Sequence, residues 1–117
     1  MSGFYPGQPP VDAYGNGGFR FAQMSHRGSI LLLPSGVYAW DEKDFGPVLA
    51  ERGGIDLFIL GTGPVMLRPS RPVREAFEKA GIQLDAMATG FAISTYNLLL
   101  AEKRRVGAGL AAVADVT

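Results

Sequence analysis

The sequence predicts one α/β domain of three layers, in which helices cover a mixed central sheet and a smaller antiparallel strand layer lies alongside. Three observations predict it. Residues 30–33 and 57–60 are entirely apolar runs that stop at turn residues, the pattern of strands covered on both faces. From Asp44 onward, helical and strand patterns alternate, as they do in α/β units. Ahead of Asp44, three short strand-like stretches follow one another and read as an antiparallel meander.

Each element follows from its residues. Residues 1–17 are rich in glycine and proline (Pro6, Pro9, Pro10, Gly15, Gly17) and show neither period, so they are expected to form a flexible arm ahead of a single domain over 18–117. Residues 19–24 alternate weakly and predict a strand, and residues 25–28 predict a turn around His26. The run 30–33 ends at Pro34, and a third short strand covers 37–40. Asp44 is expected to cap a short helix over 45–52, with Pro47 in its first turn and Gly53-Gly54 after it. The run 57–60 is expected mid-sheet and breaks at Gly61-Thr62-Gly63-Pro64. A helix over 70–80 has Ser70 as N-cap, Pro72 in the first turn, a stripe of Val73, Phe77 and Ala80, and Gly81 as left-handed stop. A short strand over 82–87 follows. Thr89 is expected to cap the longest helix, from Gly90 to about Arg104. Ala92, Tyr96 and Leu99 give that helix one apolar face, and Phe91, Leu98 and Leu100 widen it, so it is expected to be sandwiched. A small-residue strand over 106–113 closes the chain, its glycines marking close backbone approach.

Composition excludes several functions. The 117 residues suit one domain able to bury a core unaided. Eleven basic and eleven acidic residues cancel, which gives no electrostatic footprint for nucleic acid. With no cysteine there is no disulfide, thiol nucleophile or thiolate metal site. The first residues lack the basic and apolar regions of a signal peptide, and no apolar run nears the ~20 residues needed to span a bilayer. The expectation is a cytoplasmic protein that is not integral to a membrane.

The motifs carry little chemistry. Gly61-Thr62-Gly63 after a buried strand invites a dinucleotide reading, and Asp85 stands at about the distance of a ribose-binding acid. That fingerprint needs a helix at once, whereas Pro64 follows here, so a tight turn is the commoner explanation. Arg68, Arg71 and Arg74, near a helix start at Ser70, could hold a phosphate or carboxylate, or could be a solvated face. His26 is the only histidine, too few for structural zinc, and no nucleophile elbow accompanies it. Asp41, Glu42 and Asp44 could do acid–base work, but a helix start favoured by its dipole is the preferred reading. Thr89, Thr95, Tyr96 and Asn97 lie on the most apolar helix. They form either a core-specifying network, with Asn97 pinning a loop, or the polar wall of a pocket beside Gly61. The former has more weight.

The segment from Met87 to Val106, with Met87-Ala88-Thr89, Thr95-Tyr96-Asn97 and Glu102-Lys103-Arg104-Arg105-Val106, resembles the C-terminal signature of a domain-of-unknown-function family, number four-nine-eight. Gly61-Thr62-Gly63, Trp40 and Pro10-Val11-Asp12 also match its pattern, and the likeness runs from about Pro9 to Ala112. Lys103 departs from it, since many members have glycine there. Ala92-Ile93 departs too, and any thiol role proposed for members with a nearby cysteine does not carry over. The family includes mitochondrial respiratory complex I assembly factor three. The resemblance implies a three-layer α/β fold with a mixed sheet and a role through protein contacts. The leading expectation is therefore a non-enzymatic protein-interaction or assembly factor with an unidentified protein partner and no cofactor or metal. The alternatives are a small-molecule or anion-binding domain, an enzyme included, with its pocket near the Gly61-Gly63 turn, and a structural homodimer. Gly61, Thr62, Gly63, Arg68, Arg71, Arg74, Thr89 and Asn97 are the candidate partner- or anion-binding residues.

Overall fold

A computed structural model describes residues 5–114. Its small layer is an antiparallel sheet of β1 (Ala13–Gly15), β2 (Gly18–Phe21) and β3 (Met24–Arg27). The central sheet contains β4 (Ile30–Leu33), β5 (Gly36–Ala39), β6 (Leu57–Gly61), β7 (Gln83–Met87) and β8 (Val106–Leu110), in the order β5-β4-β8-β6-β7. β4 pairs antiparallel with β5 and β8, while β6 runs parallel to β7 and β8, so the sheet is mixed. The helices are α1 (Gly46–Ala50), α2 (Arg71–Ala80) and α3 (Thr89–Ala101), with a 3-10 turn at Arg52–Gly54.

Strand alternation sorts the core onto the two faces of this sheet. Ile30, Leu32, Leu57, Ile59, Ala108 and Leu110 face α3 and the small sheet, where Ala92, Ile93, Tyr96, Phe19 and Phe21 meet them. Leu31, Leu33, Phe58 and Leu60 face the other way, onto Val48, Ile55 and Phe77 of the α1–α2 side. The three predicted layers are therefore present, and both all-apolar runs are interior strands buried on both faces.

Several elements differ from expectation. The predicted meander is split: residues 30–33 and 36–39 belong to the central sheet, and the small sheet forms from residues 13–27. Residues 25–27 are strand, because the turn comes three residues sooner, at Ala22 and Gln23, whose φ angles are 49° and 63°. His26 is thus a half-buried strand residue opposite Phe19. The supposed arm carries β1 and, over residues 5–17, packs on the domain, with Val11 buried; residues 1–4 lie outside the described residues. Prolines 9 and 10 have no N–H to donate, so side chains hold this strap instead. The Tyr96 hydroxyl donates to the Pro9 carbonyl at 2.7 Å, and Gln8 Nε2 donates to the Val106 carbonyl at 2.7 Å.

The capping expectations also change. α2 begins after Ser70 and ends at left-handed Gly81 (φ 74°), but no cap bond comes from the Ser70 side chain. Thr89 lies inside α3, and Ala88 is its N-cap. Asp44 accepts the Gly46 N–H at 2.8 Å, yet the N-cap position belongs to Phe45. α3 is not sandwiched all round. Ala92, Ile93 and Tyr96 are buried, but Phe91 is 73% exposed and Leu98 60% exposed. Among the described residues, no helix is long and apolar enough to cross a membrane.

Candidate functional site

The parallel strands β6 and β8 end beside the turn between β5 and α1 and the loop before α2. A cleft of about 380 Å³ opens there. Ligands commonly sit at the carboxyl ends of such strands, where the connecting loops diverge. Its apolar lining is Trp40, Phe45, Leu60, Leu67, Val73 and Ala111, and its polar lining includes Glu42, Lys43, Thr62, Arg68 and Ser70.

Local chemistry builds each wall. Gly61 lines the cleft through its backbone, for its Cβ position points the other way, 3.0 Å from Leu110 and 3.1 Å from Ala92 on the α3 side of the sheet. Thr62 then folds the loop on itself: its hydroxyl donates to the Val65 carbonyl at 2.7 Å and accepts the Leu67 N–H at 2.9 Å. That fold carries Leu67 and Arg68 over the cleft. Trp40 lies across Gly109, where a Cβ would come within 3.1 Å of the indole. Its Nε1 donates to the Asp44 carbonyl at 2.9 Å, and its ring meets Phe45 edge-on at 5.5 Å.

The acidic cluster shapes the turn. Asp41 Oδ1 accepts the N–H groups of Lys43 and Asp44 at 2.8 and 2.9 Å, and these bonds hold its carboxyl below the usual carboxylate range. Glu42 has φ 69°, unusual for a side chain of its kind, and its carboxylate accepts the Ser29 hydroxyl at 2.7 Å. The three acids therefore do not start a helix by its dipole; the first turn of α1 contains none. Among the described residues, no three histidine, aspartate or glutamate side chains gather as a metal site.

The predicted site residues separate. Gly61, Thr62 and Arg68 line the cleft. Gly63 and Thr89 lie beneath it: the fully buried Thr89 hydroxyl accepts the Gly63 N–H at 2.9 Å and donates to the Ala111 carbonyl at 2.8 Å. Arg71 pairs with Glu75 at 3.3 Å on the surface, and Arg74 Nε donates to the Pro69 carbonyl at 3.2 Å. Asn97 is spent on the strap, its Oδ1 accepting the Val11 N–H at 2.9 Å and its Nδ2 donating to the Val11 carbonyl at 2.8 Å. Lys43, Phe45 and Val73 were not anticipated as lining residues. The one usable signal was Trp40, the sole tryptophan, placed just ahead of a polar turn.

The strap, the glycine turn and α3 are tied together by Asn97, Thr89 and Tyr96, the residues that carry the family likeness. Residues 11–111 match the family described as Protein of unknown function (DUF498/DUF598). The chain belongs to this family. An uncharacterised protein of Rhodobacter capsulatus is 35% identical over 107 residues, covering 91% of this chain and 86% of that protein. The NADH dehydrogenase [ubiquinone] 1 alpha subcomplex assembly factor 3 of Mus musculus is 28% identical over 114 residues, 91% of this chain. The match spans 62% of that assembly factor's length. Among solved structures, the crystal structure of an outer membrane protein from Bartonella henselae is similar with a TM-score of 0.91 and 47% identity, covering 93% of this chain and 98% of that one. The Rpa2829 protein of Rhodopseudomonas palustris is similar with a TM-score of 0.82 and 42% identity, covering 93% and 87%. The DUF498/DUF598 fold is thus the mixed, three-layer arrangement described above.

Proposed function

We propose that this protein is an interaction domain that acts by contact, in the manner of an assembly factor, and carries out no reaction of its own. One observation carries the reading: the outer face of α3 is apolar and uncovered. Phe91, Leu98 and Ala101 are all exposed on one side of the helix, with Ser94 between them turning its hydroxyl back to the Gly90 carbonyl. A helix lying on a domain ordinarily presents charged and polar residues there. The adjoining loop adds Val65, Met66 and Leu67, exposed by 59%, 58% and 59%. It is held beside the first turn of α3 by the bond from the Thr89 N–H to the Gly63 carbonyl, at 2.8 Å. Exposed apolar groups of this kind mark contact surfaces. The similarity to assembly factors of NADH dehydrogenase supports a protein as the partner.

The test compares wild type with Phe91→Ser plus Leu98→Ser as baits, followed by sedimentation of both. The expected result is a specific partner held by wild type and weakened about ten-fold or more by the paired change, at unchanged thermal stability. Wild type that retains nothing specific, or a variant that retains the same partner equally, overturns the reading. A wild-type dimer dispersed by the changes assigns the face to a second copy instead.

A further inference from the structure

The cleft shares Leu67 with the contact surface, but its other lining residues, Trp40, Phe45, Lys43 and Arg68 among them, have no part in the contact reading. We propose that the cleft binds a small organic carboxylate, an anionic head on an apolar acyl or aromatic body. The body follows from the walls: Trp40, Phe45, Leu60, Val73 and Ala111 offer apolar surface in a space of about 380 Å³, within the ~300–1,000 Å³ of typical ligand pockets.

The head follows from which polar groups remain available. The Thr62 hydroxyl is occupied by the Val65 carbonyl and the Leu67 N–H. The Trp40 N–H is occupied by the Asp44 carbonyl, and the Glu42 carboxylate takes the Ser29 hydroxyl. What remains on the lining is Lys43, Arg68 and the Ser70 hydroxyl, which makes no capping bond. Neither cation forms an ion pair among the described residues. Lys43, which also attracts the Asp41 carboxylate, and Arg68 outnumber the one carboxylate of the lining, Glu42, and so favour an anion with an apolar tail over a neutral polar molecule. The turn carrying Lys43 is fixed in advance, because Asp41 holds its N–H and left-handed Glu42 is tied to Ser29. Ser29 is fixed in turn by the Ala112 N–H, at 2.9 Å. Inorganic phosphate has no body to displace water from Trp40 and Phe45, so it is the weaker ligand on this geometry.

Trp40 is the only tryptophan, so indole emission comes from one side chain; it lines this cleft and also a neighbouring hollow beside Tyr38 and Pro47, whereas Lys43 and Arg68 line the cleft and not that hollow. The experiment titrates the full chain with octanoate, octanamide and inorganic phosphate, up to about 10 mM, the range suited to a ligand of about ten non-hydrogen atoms. Octanoate is expected to change the emission saturably, with octanamide at least about ten-fold weaker and phosphate without effect. Lys43→Ala with Arg68→Ala, both at exposed positions, is expected to bring octanoate down to the level of octanamide. Phe91→Ser with Leu98→Ser is expected to leave octanoate binding unchanged, so failure here and failure of the contact reading are distinguishable. No response to octanoate, equal responses to acid and amide, or undiminished binding in the double cation variant would each overturn the proposal. The acid–amide comparison in wild type stands alone should that variant fail to fold.

Discussion

Asn97 performs with one side chain the pairing that a neighbouring strand would otherwise supply. Its amide accepts from and donates to the backbone of Val11, as a facing residue in a sheet does. Asn97→Ala leaves both groups of a half-buried segment unpaired, at a cost of about 1–3 kcal/mol. The urea midpoint should fall accordingly, and Asn97→Asp should fall further at neutral pH because a carboxylate then faces the Val11 carbonyl. Tyr96, one residue earlier, gives a pH signature. Burial pushes its phenol above the ordinary value, so the fold favours the neutral form, which donates to Pro9. In the unfolded chain the phenol titrates near its usual value of about 10. This contribution is therefore complete below that pH and is lost as the pH rises beyond it. Tyr96→Phe should be less stable at pH 8, with the gap to wild type shrinking in more alkaline urea titrations. A constant gap would mean that the buried phenol is not responsible.

At the level of elements, Gly61 decides how closely β6 approaches α3. A methyl there would meet Leu110, Ala92 and the Thr89 backbone at 3.0–3.1 Å. Gly61→Ala should cost about 1–3 kcal/mol by overpacking, seen as a lower thermal midpoint, whereas Gly53→Ala, with open space around its Cβ position, should show far less. Helix α2 was legible because every local signal agreed: Ser70 before it, Pro72 in its first turn, Val73 and Phe77 on one side, and Gly81 at its stop. β1 was missed although its signal was present. Asn16-Gly17, at φ 54° and 78°, is the residue pair that hairpin turns favour, hidden within a stretch judged by its prolines. Thr89 was misread because a cap is a local pattern, while its actual acceptor, Ala111, is 22 residues away. The apolar breadth of α3 was visible in sequence, but not its consequence. Phe91 and Leu98 widen the helix towards solvent rather than into a second layer. The cleft was only partly legible, since residues near 40, 60, 68 and 111 meet there through a sheet order that periodicity does not reveal.

For the molecule as a whole, the strap joins parts that are otherwise far apart in sequence. Tyr5 bridges to Val37 on the edge strand β5, Gln8 reaches Val106 on β8, and Pro9 and Val11 are held by α3. It thus crosses from one edge of the central sheet to its middle and then to the covering helix. Deletion of residues 1–12 would remove all of these ties while leaving β1 and every later element intact. Loss of Val11 burial alone is worth about 1.5–3 kcal/mol, a large share of the ~5–15 kcal/mol that stabilises a typical domain. The uncovered part of β5 would also present unpaired backbone groups, which invites edge-to-edge association. The truncated chain should therefore show a clearly lower urea midpoint and concentration-dependent sedimentation. A loose arm would change neither, so an unaltered midpoint in a monodisperse truncated chain would show that the strap contributes nothing to the fold.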